Sequence, residues 1–279
     1  MAPSSPRVWF ITGASRGLGR AIAAAALARG DHVAATARDP GTLADLVAGA
    51  PERVRALRLD VAAPGEASAA VSAALAAFGR IDVVVNNAGF GLLGALEELT
   101  EEQMRRQWET NFLGAVHVVR ASLPQLRAQL GGHLVFISAA AAISNYPGFS
   151  IYGAAKAALE ALGEAVAAET RPLGIKVTLV QPGPFRTDFV GRSLEPGAAT
   201  LPDYAGTSGK FRKLVESTRG RQPGDPAKAA AAILAAVDAD SPPLRLVLGK
   251  YATDKARRRH TAGLRELEAW EGVGAAADF

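Results

Sequence analysis

Val8-Trp9-Phe10-Ile11 is an unbroken apolar run that leads into Thr12-Gly13-Ala14-Ser15-Arg16-Gly17-Leu18-Gly19, and a helical pattern follows directly. A short run that is apolar on both faces reads as a parallel strand covered on each side, and a parallel strand needs a long crossover to reach its neighbour. The same unit recurs down the chain. Strands are expected at Val8–Thr12, His32–Ala37, Val54–Leu59, Ile81–Val85, His133–Ile137, Ile175–Val180 and Leu244–Leu248. Helices are expected at Gly17–Arg29, Glu66–Phe78, Glu101–Gln129 with a bend near Pro124, Ile151–Arg171, around Ala227–Val237 and Thr253–Glu268. Gly30, Gly79, Pro172 and Gly174 supply stop signals. This alternation predicts an α/β fold: a doubly wound parallel sheet of about seven strands with helices on both faces, in one domain. The core is expected over about 7–250, with a loop-rich insertion at about 185–222 and a C-terminal helical extension at about 253–270. Sheets of this kind bind ligands at the carboxyl ends of their strands.

With 279 residues, 49% hydrophobic and 21% charged, the chain can build one large core in water. It has no cysteine, which excludes a disulfide framework and a thiolate metal site. No metal is expected. Met1–Phe10 lacks a basic segment followed by an apolar one, and runs such as Ala21–Ala28 are too short to cross a bilayer, so a cytoplasmic protein without a membrane partner is expected. The net charge is +4. Basic residues cluster at Lys210, Arg212, Lys213, Arg219 and Arg221, and again at Lys255, Arg257, Arg258 and Arg259. Glu216, Asp254, Glu266 and Glu268 intersperse them, so solvated helix faces are expected rather than a nucleic-acid footprint.

Tyr152 and Lys156 stand one helical turn apart and so share a face. An ammonium beside a phenol favours the phenolate and brings the group nearer to proton exchange at neutral pH, with an alcohol or ketone oxygen as the other party. The glycine-rich turn at 12–19 lets the backbone bend sharply, approach a pyrophosphate and offer it the free N–H groups of a helix start. Its spacing differs from the G-x-G-x-x-G fingerprint.

Thr12-Gly13-x-x-x-Gly17-x-Gly19, Asn86-Asn87-Ala88-Gly89 after the fourth strand and Tyr152-x-x-x-Lys156, joined by Asp60, Asn111 and Pro182-Gly183, together resemble the short-chain dehydrogenase/reductase family over about 7–250. The loop after Pro182 and the C-terminal helix are similar to the hydroxysteroid- and retinol-dehydrogenase-like group. The resemblance implies a Rossmann-type fold and a nicotinamide cofactor. It implies that Gly13, Gly17, Leu18 and Gly19 admit the pyrophosphate, and that Asp60 and Val61 hold adenine. Asn87, Ala88 and Gly89 would line the ribose, while Pro182, Gly183 and Thr187 would seat the nicotinamide. Lys156 would bind the nicotinamide ribose and keep Tyr152 acidic, and Asn111 would order a water that relays protons towards Lys156. The helices Glu101–Gln129 and Ile151–Arg171 would build a homodimer or homotetramer.

An acid at the end of the second strand would bind a ribose 2′-hydroxyl, whereas arginine there accommodates a 2′-phosphate. Here the strand ends Thr36-Ala37-Arg38, with Ser15 and Arg16 in the glycine turn alongside. NADP(H) is therefore expected, although Asp39 could instead take the ribose hydroxyl. One position departs from the family. A serine is normal thirteen residues before the tyrosine, and counting back from Tyr152 gives Ala139, with Ser138 one step earlier on the opposite strand face. A bulge could bring Ser138 round, a native serine could have been replaced at 139, or Ser144 or Asn145 could supply the hydrogen bond; Ser138 is carried as a catalytic candidate.

The expected activity is NADPH-dependent reduction of a ketone or aldehyde, reversible as alcohol oxidation, with Tyr152 as proton donor. The alternative is a catalytically weak NADP(H) sensor, suggested by Ala139. The expected substrate is a small hydrophobic carbonyl compound or alcohol, selected by Phe185–Gln222, with Phe149, Phe185, Phe189, Leu194, Leu201, Tyr204 and Phe211 as candidate lining.

Overall fold

The computed structural model describes residues 6–278. In chain order the elements are β1 (Val8–Ile11), α1 (Gly17–Ala28), β2 (His32–Ala37), α2 (Ala44–Gly49), β3 (Val54–Arg58), α3 (Glu66–Phe78), β4 (Val83–Asn86) and β5 (Gly91–Leu93). They continue with α4 (Glu101–Trp108), α5 (Gly114–Ala128), β6 (Gly132–Ile137), α6 (Ala140–Ile143), α7 (Ser150–Thr170) and β7 (Ile175–Pro182). The last are α8 (Phe189–Arg192), β8 (Leu194–Pro196), α9 (Ser208–Ser217), α10 (Pro226–Asp238), β9 (Arg245–Leu248) and α11 (Lys250–Ala275).

Seven strands form one sheet in the order β3-β2-β1-β4-β6-β7-β9, every neighbouring pair parallel. The chain starts in the middle, runs outward to β3, then returns past β1 to build the other half from β4. The carboxyl ends of β1 and β4 thus flank the point where the winding reverses, and a crevice opens there.

The period of two along each strand sorts the core into two layers. Ile11, Val33, Val83, Val135 and Val180 pack with Ile22 of α1 and Ile233 of α10. Phe10, Ala34, Val84, Phe136 and Leu179 face the other way, onto Val71 of α3, Val118 of α5 and Leu159 of α7. The seven expected strands are all present, with ends displaced by a few residues. Among the described residues no helix is long and apolar enough to cross a membrane.

The long helix expected at Glu101–Gln129 is interrupted, though not at Pro124. Pro124 lies inside α5, while the break is a π turn over Glu109–Leu113. Asn111 in that turn is buried and bonded outside the helix: its Oδ1 accepts from Phe90 N at 3.0 Å and its Nδ2 donates to Phe90 O at 2.8 Å. A side chain tied both ways to a neighbouring loop favours the extra residue of a π turn. Outside the main sheet, β5 pairs in parallel with β8. This pairing and the short helices α6 and α8 were not expected from sequence, because three- and four-residue pieces carry no usable period; the ten-residue α9 falls inside the segment expected as a loop-rich insertion.

His133 on β6 illustrates how tightly the first layer closes. Thr178 Oγ1 donates to Pro243 O at 2.9 Å, so its lone pair receives the His133 Nε2 proton, also at 2.9 Å. His133 Nδ1 is left buried without a partner. Burial, with Lys176 and Arg7 adding to it, pushes the imidazole down to about 4. The unfolded chain takes up a proton near 6.5 that the folded chain refuses, so stability is complete above about pH 6.5 and falls towards pH 4, by about 3 kcal/mol in all. Urea unfolding followed between pH 7 and pH 4.5 should show this loss, and His133→Gln should flatten the slope; equal slopes in the two proteins would exclude the account.

Candidate active site

The crevice begins with a clasp between two loops. Thr12 Oγ1 donates to Val85 O and accepts from the backbone N–H groups of Asn87, at 2.9 Å, and Ala88, at 3.0 Å. Asn87 Nδ2 donates back to Thr12 O at 2.8 Å and Gly13 O at 3.1 Å. The side chain expected to line a ribose is instead spent on holding the glycine turn. Gly13 and Gly17 sit at φ +64 and +60, which residues with a Cβ rarely adopt. A Cβ at Gly19 would fall 2.4 Å from Asn87 Nδ2. The helix α1 that follows has no side-chain N-cap and no acid in its first turn, so its leading N–H groups remain available to an anion. Thr187 closes in from the loop after β7, its Cβ 3.7 Å from where a Gly17 Cβ would stand.

At the end of β2, Ala37 is buried and Arg38 exposed. Asp39 Oδ1 accepts from Gly41 N at 2.9 Å, capping the next turn. Among the described residues neither Arg16 nor Arg38 has a carboxylate partner, while Arg58 nearby pairs with Glu66. Asp60 Oδ1 accepts from Ala62 N at 3.1 Å, and Val61 O meets His117 Nδ1 at 3.0 Å. Gly183 lies against the first turn of α11, where an added Cβ would touch Ala252 at 3.4 Å, and its N–H bonds to Leu248 O.

Tyr152 and Lys156 are both buried on the inner face of α7. Lys156 Nζ donates to Ile137 O at 2.7 Å, which anchors the ammonium to the end of β6. Burial pulls Lys156 down to about 8, with Glu160 opposing the shift. Burial also pushes the Tyr152 phenol upwards, and no charge offsets it. That reverses the expectation of a phenol made acidic by its neighbour. The ammonium is committed to a carbonyl and is itself only weakly held, so desolvation wins.

Ala139 belongs to the same cluster as Tyr152, Leu93, Ala141 and Phe149. Ser138 lies just past the end of β6, its N–H shared between Val180 O at 2.8 Å and Phe136 O at 3.2 Å, and Ala139 is extended at φ −162. Successive side chains then leave on opposite faces, so Ser138 points away from the Tyr152 cluster, its Oγ buried without a partner. No bulge brings it round, and Ser138 is set aside as a catalytic candidate on this ground. Asn145 is also committed, donating to Phe149 O at 3.1 Å and accepting from Tyr146 N at 2.9 Å.

Of the expected lining, Phe149, Phe189, Leu194 and Phe211 do gather around Tyr152. Phe185 does not; it packs into the layer beside α1 and α10 and against Gly224. Leu201 and Tyr204 lie outside the cluster too, because their segment is drawn to the β4–α4 connection: Leu201 N donates to Glu98 Oε1 at 2.9 Å. Glu98 Oε2 also accepts from Ala95 N and from Arg212 Nη2, at 2.8 and 2.9 Å. Tyr146 and Val215 line the cluster and were not expected. The spacing of Tyr146, Phe149 and Tyr152 by threes was a readable signal for the former.

A family model described as short chain dehydrogenase matches residues 7–196. A protein of Botryotinia fuckeliana named oxidoreductase BOA17 is 38% identical over 272 residues, covering 97% of this chain and 99% of that one. Human retinol dehydrogenase 8 is 33% identical over 261 residues, covering 87% of this chain and 81% of its own. A crystal structure of a short-chain dehydrogenase from Streptomyces avermitilis superposes with a TM-score of 0.93 at 46% identity, over 99% of this chain and 100% of the other. A Thermococcus sibiricus alcohol dehydrogenase complexed with 5-hydroxy-NADP superposes at 0.72 with 28% identity, over 88% and 96% of the two chains. A Burkholderia phymatum short-chain dehydrogenase/reductase in complex with NAD shares the fold at 0.83 with 24% identity, over 95% and 97%. The chain is an oxidoreductase of the short-chain dehydrogenase/reductase family, on its retinol-dehydrogenase-like side.

Proposed function

We propose that the protein reduces a hydrophobic ketone or aldehyde to the alcohol at the expense of NADPH, and runs in reverse as an alcohol dehydrogenase. The observation that carries this reading is the Tyr152 phenol, buried on the inner face of α7 one turn from Lys156 and walled by aromatic side chains. A phenol whose pKa is raised by burial keeps its proton at neutral pH. That is the state a donor needs when a carbonyl oxygen gains negative charge. When bound, the nicotinamide supplies the hydride that goes to the carbonyl carbon. Tyr152 gives the oxygen its proton, and Lys156, at about 8, is close enough to neutrality to return one. Asn111 spends its side chain on Phe90, so its part in any water relay falls to its main chain. The sensor alternative draws support from Ala139 alone.

The cradle suits a dinucleotide. The positive-φ turn at Gly13 and Gly17, the uncapped N–H groups at the start of α1 and the clasp at Thr12 favour a pyrophosphate bound around Gly13, Ser15, Gly17 and Leu18. On this reading Asp60 and Val61 hold adenine, Ala88 and Gly89 line a ribose, and Pro182, Gly183 and Thr187 seat the nicotinamide. Among the described residues Arg16 and Arg38 lack carboxylate partners, and Asp39 is occupied with Gly41, which favours a 2′-phosphate over a 2′-hydroxyl. The outer face of α4 and α7 exposes Met104, Trp108, Leu113 and Ile151 in a groove where a second copy would pack, giving a homodimer or homotetramer. The absence of cysteine suits the reducing cytoplasm.

Three substitutions test the reading. Tyr152→Phe should abolish NADPH consumption with a panel of hydrophobic ketones while leaving NADPH binding intact. Ala139→Ser restores a hydroxyl to the face that holds Tyr152, and should raise kcat by up to about a hundredfold, the range associated with one donor to a developing oxyanion. Unchanged turnover in both would end the proposal. Arg38→Asp should raise the KM for NADPH about ten- to a hundredfold and that for NADH far less; equal shifts would reject the NADP(H) assignment.

A further inference from the structure

The aromatic wall around Tyr152 ends in an unneutralised cation. Phe149 packs on Tyr152 at 5.0 Å between centroids, and the same ring meets Phe211 edge-on at 5.2 Å and Tyr146 edge-on at 6.1 Å. Tyr146 and Phe211 stack at 5.0 Å with only 12° between their planes. Over the Tyr146 ring, 3.5 Å from its centroid, stands Lys255 Nζ of α11. The same stretch of α11 abuts the cleft, with Ala252 against Gly183.

Lys255 is half-buried, and among the described residues it has neither a carboxylate partner nor a hydrogen-bond acceptor. The acid beside it, Asp254, is taken by Lys250 at 2.6 Å. One turn on, Arg258 is exposed and also unpaired among the described residues. Burial, and then the Arg258 charge, both disfavour the Lys255 ammonium. The ring face offsets part of that cost, because a cation over an aromatic face is attracted to it. Yet a lysine with four flexible bonds could keep its head in water. It is instead held at the end of an apolar wall that leads to the proton donor, beside a second cation.

Resting on the reductase reading, the geometry points to a substrate class: a hydrophobic carbonyl compound or alcohol that carries an anionic group, such as a carboxylate, about two aromatic rings away from the reacting carbon. The apolar body lies along Phe149, Tyr146 and Phe211, and the anion meets Lys255 and Arg258. An anion entering with the substrate pairs the cation the protein leaves unpaired, in a site partly shielded from water, where such pairs are strong. An amine-bearing substrate meets two like charges there.

The probes are 4′-acetylbiphenyl-4-carboxylate and its methyl ester, which share a two-ring body and differ in one charge. Calorimetry with the NADP-loaded protein should show the acid binding about tenfold or more tightly than the ester. Lys255→Met, which keeps a stem to cover Tyr146, should bring that ratio close to one, and Lys255→Arg should largely preserve it. Equal binding of acid and ester, binding of neither, or a preference that survives Lys255→Met would overturn the assignment. The reductase reading fails on a different result: a preference for the acid that depends on Lys255, with no NADPH consumed against any ketone even after Ala139→Ser.

Discussion

The reversal of winding between β1 and β4 depends on one hydrogen-bonded clasp. These two parallel strands have their carboxyl ends side by side while the chain leaves them in opposite directions across the sheet, so their loops meet, and must be joined, without a helix between them. Thr12 and Asn87 do this with a hydroxyl and a carboxamide, satisfying backbone groups of both loops at once. The glycine turn takes its shape from that join: Gly19 lies so close to Asn87 that nothing larger than hydrogen fits. Every later part of the crevice is measured from there, since Thr187 closes on Gly17 and Gly183 on α11.

The sheet was readable because its strands are covered on both faces and so show as continuous apolar runs, such as Val8–Ile11 and Val83–Val85. The site was readable as a set of positions but not as an electrostatic state. Sequence gives the one-turn spacing of Tyr152 and Lys156; it does not give their burial or the Ile137 carbonyl that claims the ammonium. The direction of the Tyr152 shift came out reversed for that reason. Phe185 was misassigned because an aromatic in a loop has no period to say which layer it enters. The π turn at Asn111 was hidden because its cause, the Phe90 backbone, lies in another segment.

Ala139 was legible and remains the most unusual feature of the centre. Its backbone is extended, and its small methyl group occupies the face that the Tyr152 ring shares. The result is a donor site with apolar walls and little competing polarity. On the proposed reading such a site leans on its phenol for proton transfer and on shape for selection, with Lys255 of α11 as the polar element at its far rim.

The roof of the cleft is built separately from its floor. The side chains of α9 that touch Tyr146 and Phe149 belong to a cluster distinct from the two layers that sandwich the sheet. What fastens them is non-local: Glu98 reaches across 103 residues to Leu201 and 114 to Arg212, and β5 reaches across to β8. This cluster is also far smaller than either layer, and a unit with few buried apolar contacts opens at lower free energy than a large core. Warming is therefore expected to loosen the aromatic cluster before the crevice between β1 and β4 loses its form.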